Sequence, residues 1–256
     1  MPRWEAAIAT ENPKILYRTV QLLKKLGIKF VICSPTDHRC DHAHIVITGP
    51  DDNFEQHERK IEVTEDFDID FVRIEMMSKL HDLHAPSRAV VGIDPGMTFG
   101  VALVIDGIPV YSKSLTSPIA VTILTHQLAN HSKTLYPECQ TIVRIGTGSN
   151  LYATLLLRST KNIRMKLPIE LVNEHNTTIT GGARSDESAA ILIAGRSGRP
   201  VNDSDMNLEP KEGYVRSLKQ FVTKLTRGEK SITSKEARAI LIGDSSLEDL
   251  IAQSRS

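Results

Sequence analysis

Between residues 88 and 115 three apolar runs follow one another with only a tight turn between each pair, and this pattern commits the chain to a sheet-based fold. The first run, RAVVGID, ends at Pro95-Gly96. The second extends over 98–106 and ends at Asp106-Gly107, a favoured two-residue hairpin turn. The third is IPVYSKSL. Three such strands in succession form an antiparallel meander. The first strand ends on a lone acid, Asp94. A carboxylate at the end of a buried strand is costly unless something pairs with it. A metal ion or a phosphate-bound cation would serve, and a turn aspartate bonding its own backbone fits equally well.

Downstream, Ser117-Pro118 opens a helix predicted to reach about Leu135, with proline at a tolerated first position. QTIVRIG reads as a fourth strand, SNLYATLLLRST as a second helix and PIELVN as a fifth strand. A loop containing Gly181-Gly182 leads to a third helix, SDESAAILIAG, closed by Gly195 and Gly198. Right-handed crossovers would add the later strands parallel to the first. The expected fold class is therefore α/β, with a mixed five-stranded sheet and flanking helices in the ribonuclease H arrangement over residues 86–198. A small α/β domain precedes it over 1–85. There the spacing predicts a helix over 12–26, N-capped by Asn12 and ended by Gly27. KFVICS, HIVITG and DIDFVRI are expected as its strands, and HDLHAPSR as a linker. Residues 199–256 read as a helical, basic C-terminal extension with amphipathic pieces LKQFVTKL and SKEARAILI.

Charge balances over the 256 residues, with 31 basic and 31 acidic side chains, but not along the chain. Acids concentrate in 51–70. Bases, among them Lys219, Lys224 and Arg227, concentrate after residue 210. A local basic face of this kind can contact nucleic-acid phosphates; a solvated helix face is the competing reading. The three cysteines are odd in number and irregularly spaced, so no disulfide framework is expected. Cys33, His38, Cys40, His42 and His44 form a potential zinc set that matches no standard finger spacing, and turn chemistry at Ser34-Pro35 explains part of it. Nothing at the N-terminus resembles a signal peptide, and no apolar run reaches spanning length. The expectation is a cytoplasmic protein that makes no use of a membrane.

Three acids in the second domain belong together: Asp94 ending the first strand, Glu174 after the fifth, and Asp186 opening the third helix. That helix would pack back across the sheet, its small Ala189 and Ala190 allowing close approach. Clustered carboxylates repel one another unless a cation joins them, which points to Mg²⁺ or Mn²⁺ and to phosphodiester hydrolysis.

GIDPG at 92–96 resembles the opening motif of the RuvC-like branch of the ribonuclease H superfamily. VNEHNTT at 172–178 and SDESAAILIAGR at 185–196 are similar to the later motifs of its YqgF branch, and IVRIGTGSN at 142–150 sits at a glycine-containing strand end. Asn173 and His175 flank Glu174 where that branch has an acid and an arginine; His175 reads as solvent-facing. The resemblance implies a metal-dependent nuclease acting on structured DNA or RNA, Holliday junctions among the candidates. It implies Asp94, Glu174 and Asp186 as catalytic metal ligands. By their position beside this site, rather than by the resemblance, Thr177, Thr178 and Arg184 are expected to hold phosphate, strand-end geometry being the equal alternative for the threonines. Lys219, Lys224 and Arg227 of the basic tail are expected to contact the backbone. A homodimer is implied by analogy alone. Two alternatives stand beside it: a phosphate- or nucleotide-binding module of the actin-like type, whose first phosphate loop GIDPGMTFG also resembles, and a catalytically degenerate nucleic-acid-binding protein.

Overall fold

The computed structural model describes residues 4–37, 40–54, 59–163, 165–173 and 186–252, without the side chains of Asp41 and Ala252. The chain divides into two compact units, one of residues 1–86 with 134–137 and one of 87–133 with 138–256. The protein is of the mixed α/β type.

In the first unit β1 (Trp4–Ala9), α1 (Pro13–Leu26), β2 (Phe30–Cys33), β3 (Ala43–Thr48), β4 (Lys60–Glu62) and α2 (Ile69–Leu80) follow in order. The strands form a parallel sheet in the order β2-β1-β3-β4. Asn12 caps α1, its side chain accepting from the backbone N–H of Lys14 and Ile15 at 3.0 and 3.2 Å. Gly27, at φ +70°, ends the helix in the left-handed conformation that favours glycine. The central strand β1 lay outside the sequence reading, because WEAAIA is rich in alanine, a helix former. Both of its faces are covered: Ala6 and Ile8 pack in one apolar cluster, Ala7 and Ala9 in another.

The segment DIDFVRI, expected as a strand, is instead the start of α2. Asp68 caps it by accepting from Asp70 and Phe71 N–H. Val72, Ile74, Met76 and Ser78 are buried while their neighbours are half-buried. A helix enclosed to this degree shows no polar face, and its alternating β-branched residues imitate a strand.

The expectation of no disulfide is also corrected. Cys33 and Cys40 are bonded, with their Cα atoms 6.3 Å apart. Two turns bring them together, with Asp37 N–H donating to Ser34 and Cys40 N–H to Asp37. The bond occupies two of the five candidate zinc ligands. A third, His44, lies against the Arg59 guanidinium at 2.6 Å, and His38 lies outside the described residues.

The second unit begins with β5 (Arg88–Asp94), β6 (Phe99–Ile105) and β7 (Ile108–Leu115), an antiparallel meander. Asp106 and Gly107 both adopt positive φ, +44° and +86°, as a type I′ hairpin requires. Next come α3 (Pro118–Leu135), β8 (Gln140–Gly146), α4 (Asn150–Asn162), β9 (Ile169–Val172), α5 (Asp186–Ala194) and the short β10 (Arg199–Pro200). Strands β8 and β9 add parallel to β5, and β10 closes the edge antiparallel, so the sheet has six strands instead of the expected five, in the order β10-β9-β8-β5-β6-β7. The chain ends with α6 (Glu212–Leu225), α7 (Ser234–Ile242) and α8 (Leu247–Ala252).

Successive residues of a strand face opposite sides of a sheet, so Phe99 and Gly100 sort the helices. Phe99 meets Tyr152 of α4 and Phe221 of α6 edge-on, with ring centroids 6.3 Å away in both cases. The opposite face, bearing Gly100, is covered by α5. Among the described residues no helix is long and apolar enough to cross a membrane.

Two measurements follow from these contacts. Closing a loop of this size removes about 2–3 kcal/mol of chain entropy from the unfolded state. Cys33→Ser is therefore expected to lower unfolding stability by that amount without reductant, and to show no deficit when dithiothreitol is present. Asp106 accepts from the Ser87 N–H and the Arg88 N–H, both at 2.9 Å, and these bonds hold its carboxyl below the usual carboxylate range. A depressed native pKa adds stability above the unfolded value of about 3.9, and this is lost as pH falls through the native value. Asp106→Asn keeps a turn residue suited to positive φ but cannot ionise. Its stability should fall less steeply than the wild type's on acidification, and parallel denaturation curves at every pH would contradict the assignment.

Candidate functional site

Asp94 is the last residue of β5 and stands opposite Gly100 of β6, which stands opposite Ser114 of β7. Directly paired residues project from the same face, with Cβ positions about 5 Å apart. Gly100 has no side chain, and the reason is its cover. A Cβ built there would lie 1.9 Å from the carbonyl oxygen of Asp186 and 2.3 Å from its carbonyl carbon. The first residue of α5 therefore rests on the sheet at Gly100, the pairing partner of Asp94. Gly92, two residues before Asp94 and on the same face, repeats the arrangement: its Cβ would lie 2.2 Å from the Ala190 carbonyl oxygen and 2.8 Å from the Ala194 Cβ. Of the two small residues expected to permit this approach, Ala190 is fully buried and Ala189 half-buried, and Ala194 completes the contact.

Side chains fix α5 at both ends. At the start, Glu187 accepts from Ser112 Oγ at 2.6 Å and from Ser114 Oγ at 3.4 Å, both on β7. At the finish, the buried Arg144 of β8 donates to the Ala194 carbonyl at 2.7 Å and to Glu170 of β9 at 2.9 Å. A guanidinium at a helix C-terminus is favoured by the exposed carbonyls and by the helix dipole. At the other end the same dipole favours the carboxylates of Asp186 and Glu187.

The turn after Asp94 is held from α6. Lys224 Nζ donates to Thr98 Oγ1 at 3.0 Å and to the Met97 carbonyl at 3.2 Å. Lys219 and Lys224 line one open groove of about 390 Å³ with Gln220, Thr223, Ser231 and Ile232. Arg227 lies beyond the helix, at φ +53°, and does not line that groove.

Of the expected site residues, Asp186 has its main chain against Gly100, the pairing partner of Asp94, and Lys224 reaches the turn after Asp94. Glu174, Thr177, Thr178 and Arg184 lie outside the described residues, as does His175. Among the described residues no group of three or more His, Cys, Asp or Glu stands close enough to hold a metal. The sequence reading missed Gly92, Gly100, Arg144 and Glu187. Glycines two residues before one acid and four after the next turn were the available signal, since glycine inside a strand marks close approach of another backbone.

In the first unit the strand order reverses between β1 and β3, where open parallel sheets usually receive ligands. That crevice is filled from within: Asp52 accepts from Gly49 N–H at 2.7 Å and Glu11 N–H at 3.0 Å.

The packing of α5 has a direct check. Gly100→Ala forces a Cβ into the Asp186 backbone and is expected to cost about 1–3 kcal/mol, read as a lowered denaturant midpoint. An unchanged midpoint would mean that α5 does not lie where described.

No protein-family model matches this chain, and no curated protein does. Among solved structures it is similar to an X-ray crystal structure of Marinitoga piezophila Argonaute in complex with 5′ OH guide RNA. The two are 10% identical with a TM-score of 0.24, over 66% of this chain and 39% of that one. The likeness spans well under half of the Argonaute, and a superposition at that score carries no inference.

Proposed function

We propose that the second unit is a divalent-metal-dependent nuclease of the ribonuclease H-like, RuvC/YqgF-like kind, hydrolysing phosphodiester bonds in structured DNA or RNA. The observation that carries this reading is the close approach of the Asp186 backbone to Gly100, the pairing partner of Asp94. It brings the main chain of Asp186 to the carboxyl end of the central strand that Asp94 terminates. The strand order, a meander extended by two parallel strands on the β5 side, supports it.

The donor set suits Mg²⁺ or Mn²⁺, hard cations that prefer carboxylate oxygens. Asp94 and Asp186 would hold the metal, with Glu174 as third ligand by resemblance. When bound, such an ion supplies an activated water and neutralises charge on the phosphate. The chain's own residues do the positioning. Asp94 is held at a strand end whose turn Lys224 fastens, and Asp186 sits on a helix fixed at both ends. Carboxylates drawn together on a substrate phosphate would repel each other, and a divalent cation would relieve that repulsion. Lys219 and Lys224 would offer ammonium groups to the backbone of a bound strand, with Thr177, Thr178 and Arg184 as further phosphate contacts from their sequence position beside Glu174 and Asp186.

The test is cleavage of branched and single-stranded substrates with Mg²⁺ or Mn²⁺ present. Asp94→Asn and Asp186→Asn should each lower the rate at least about a hundredfold while substrate binding persists. Cleavage at the wild-type rate by both variants would overturn the proposal.

A further inference from the structure

A cavity of about 630 Å³ opens between β9, β10 and the first turns of α4, within the ~300–1,000 Å³ usual for small-ligand sites. Its floor is apolar, with Leu157 of α4 and Leu171 of β9. Its rim is polar, with Asn150, Asn207 and the pair Arg199 and Asp205. Thr147 and Asn173, the residues that directly follow β8 and β9, also line it. The cavity therefore opens at the same end of the parallel strands as Asp94. Two strand spacings separate β9 from β5, roughly 10 Å, which one strand of nucleic acid spans in about three nucleotides.

The described lining favours an uncharged, polar-edged ligand. Arg199 donates to both oxygens of Asp205, at 2.8 and 2.6 Å, so each charge is spent on the other. That fork also holds the Asp205 carboxyl below its ordinary range. Among the described lining residues no other side chain carries a charge, and Asn150, Thr154, Ser204 and Asn207 offer uncharged polar groups. A wholly apolar ligand would strip water from the rim amides without replacing it. What fits is a planar, uncharged group with donors and acceptors along one edge. Asn150 and Asn207 carry carboxamides, which both donate and accept. The guanidinium of Arg199, held in plane by its two bonds to Asp205, is a preorganised surface for stacking.

We infer that this cavity receives one unpaired nucleobase of the substrate strand, stacked on Arg199 and read along its edge by Asn150 and Asn207. The inference rests on the nuclease reading and deepens it, because it selects substrates that present an unstacked base near the cleaved bond.

The experiment measures binding of a fluorescein-labelled single strand, and of the same sequence as a blunt duplex, by anisotropy. The full chain is used in an Asp94→Asn background, so that nothing is cut. Arg199→Lys keeps the charge facing Asp205 but removes the flat surface. It should weaken single-strand binding about tenfold and leave duplex binding unchanged. Asn150→Ala and Asn207→Ala, at exposed positions, should act in the same direction, and they keep the test decisive if Arg199→Lys melts early. Unaltered single-strand affinity in the folded variants overturns the pocket, as does an equal loss for strand and duplex. The nuclease reading would survive either result if wild-type cleavage still needs the metal and Asp94. Absence of any nucleic-acid binding by the wild-type chain overturns both.

Discussion

The second unit depends on two places where its sheet carries no side chain. Gly92 and Gly100 sit on adjacent strands beneath α5, and an added methyl at either would enter the helix backbone. A helix normally rests on a sheet through side chains. Here main chain meets main chain, with alanines filling what remains. Protein interiors have few voids and yield little, so this contact tolerates neither a larger residue nor a shift of register. It sets how far α5 stands from β5 and β6, and with that distance where the main chain of Asp186 meets Gly100.

The remaining contacts of α5 keep the helix from sliding along that surface. Glu187 is tied to the edge strand β7, and Arg144 joins the helix end to β8 and β9. Helix α5 thereby touches both halves of the sheet, the antiparallel side through serines and the parallel side through a guanidinium. On the opposite face Phe99, Tyr152 and Phe221 hold α4 and α6 against β6. The anchored α6 in turn lets Lys224 reach the Asp94 turn. Apolar packing on one side and polar fastening on the other converge on a single loop.

How much of this was legible in sequence varied with how local the cause was. The meander could be read because Asp106-Gly107 is a turn signal with a backbone mechanism, and α1 because Asn12 and Gly27 mark its ends. Strand β1 escaped because its alanines favour a helix, and helix α2 because it is enclosed, so that it shows no polar face and its spaced β-branched residues imitate a strand. The Cys33–Cys40 bond depends on two consecutive turns that cysteine spacing alone does not encode. In the site, Asp94 and Asp186 were visible as acids at element ends. Glu187 and Arg144 were not, since their partners lie 75 and 50 residues away. Gly100 matters only through a helix that arrives much later in the chain.

That late arrival has a consequence for synthesis. A ribosome emits roughly 5–20 residues per second, so Gly92 and Gly100 emerge several seconds before the helix that covers them. Helix α6, whose Lys224 holds the turn after Asp94, emerges later still. The contact that positions α5 on the sheet is therefore available only to a chain that is synthesised well past β9.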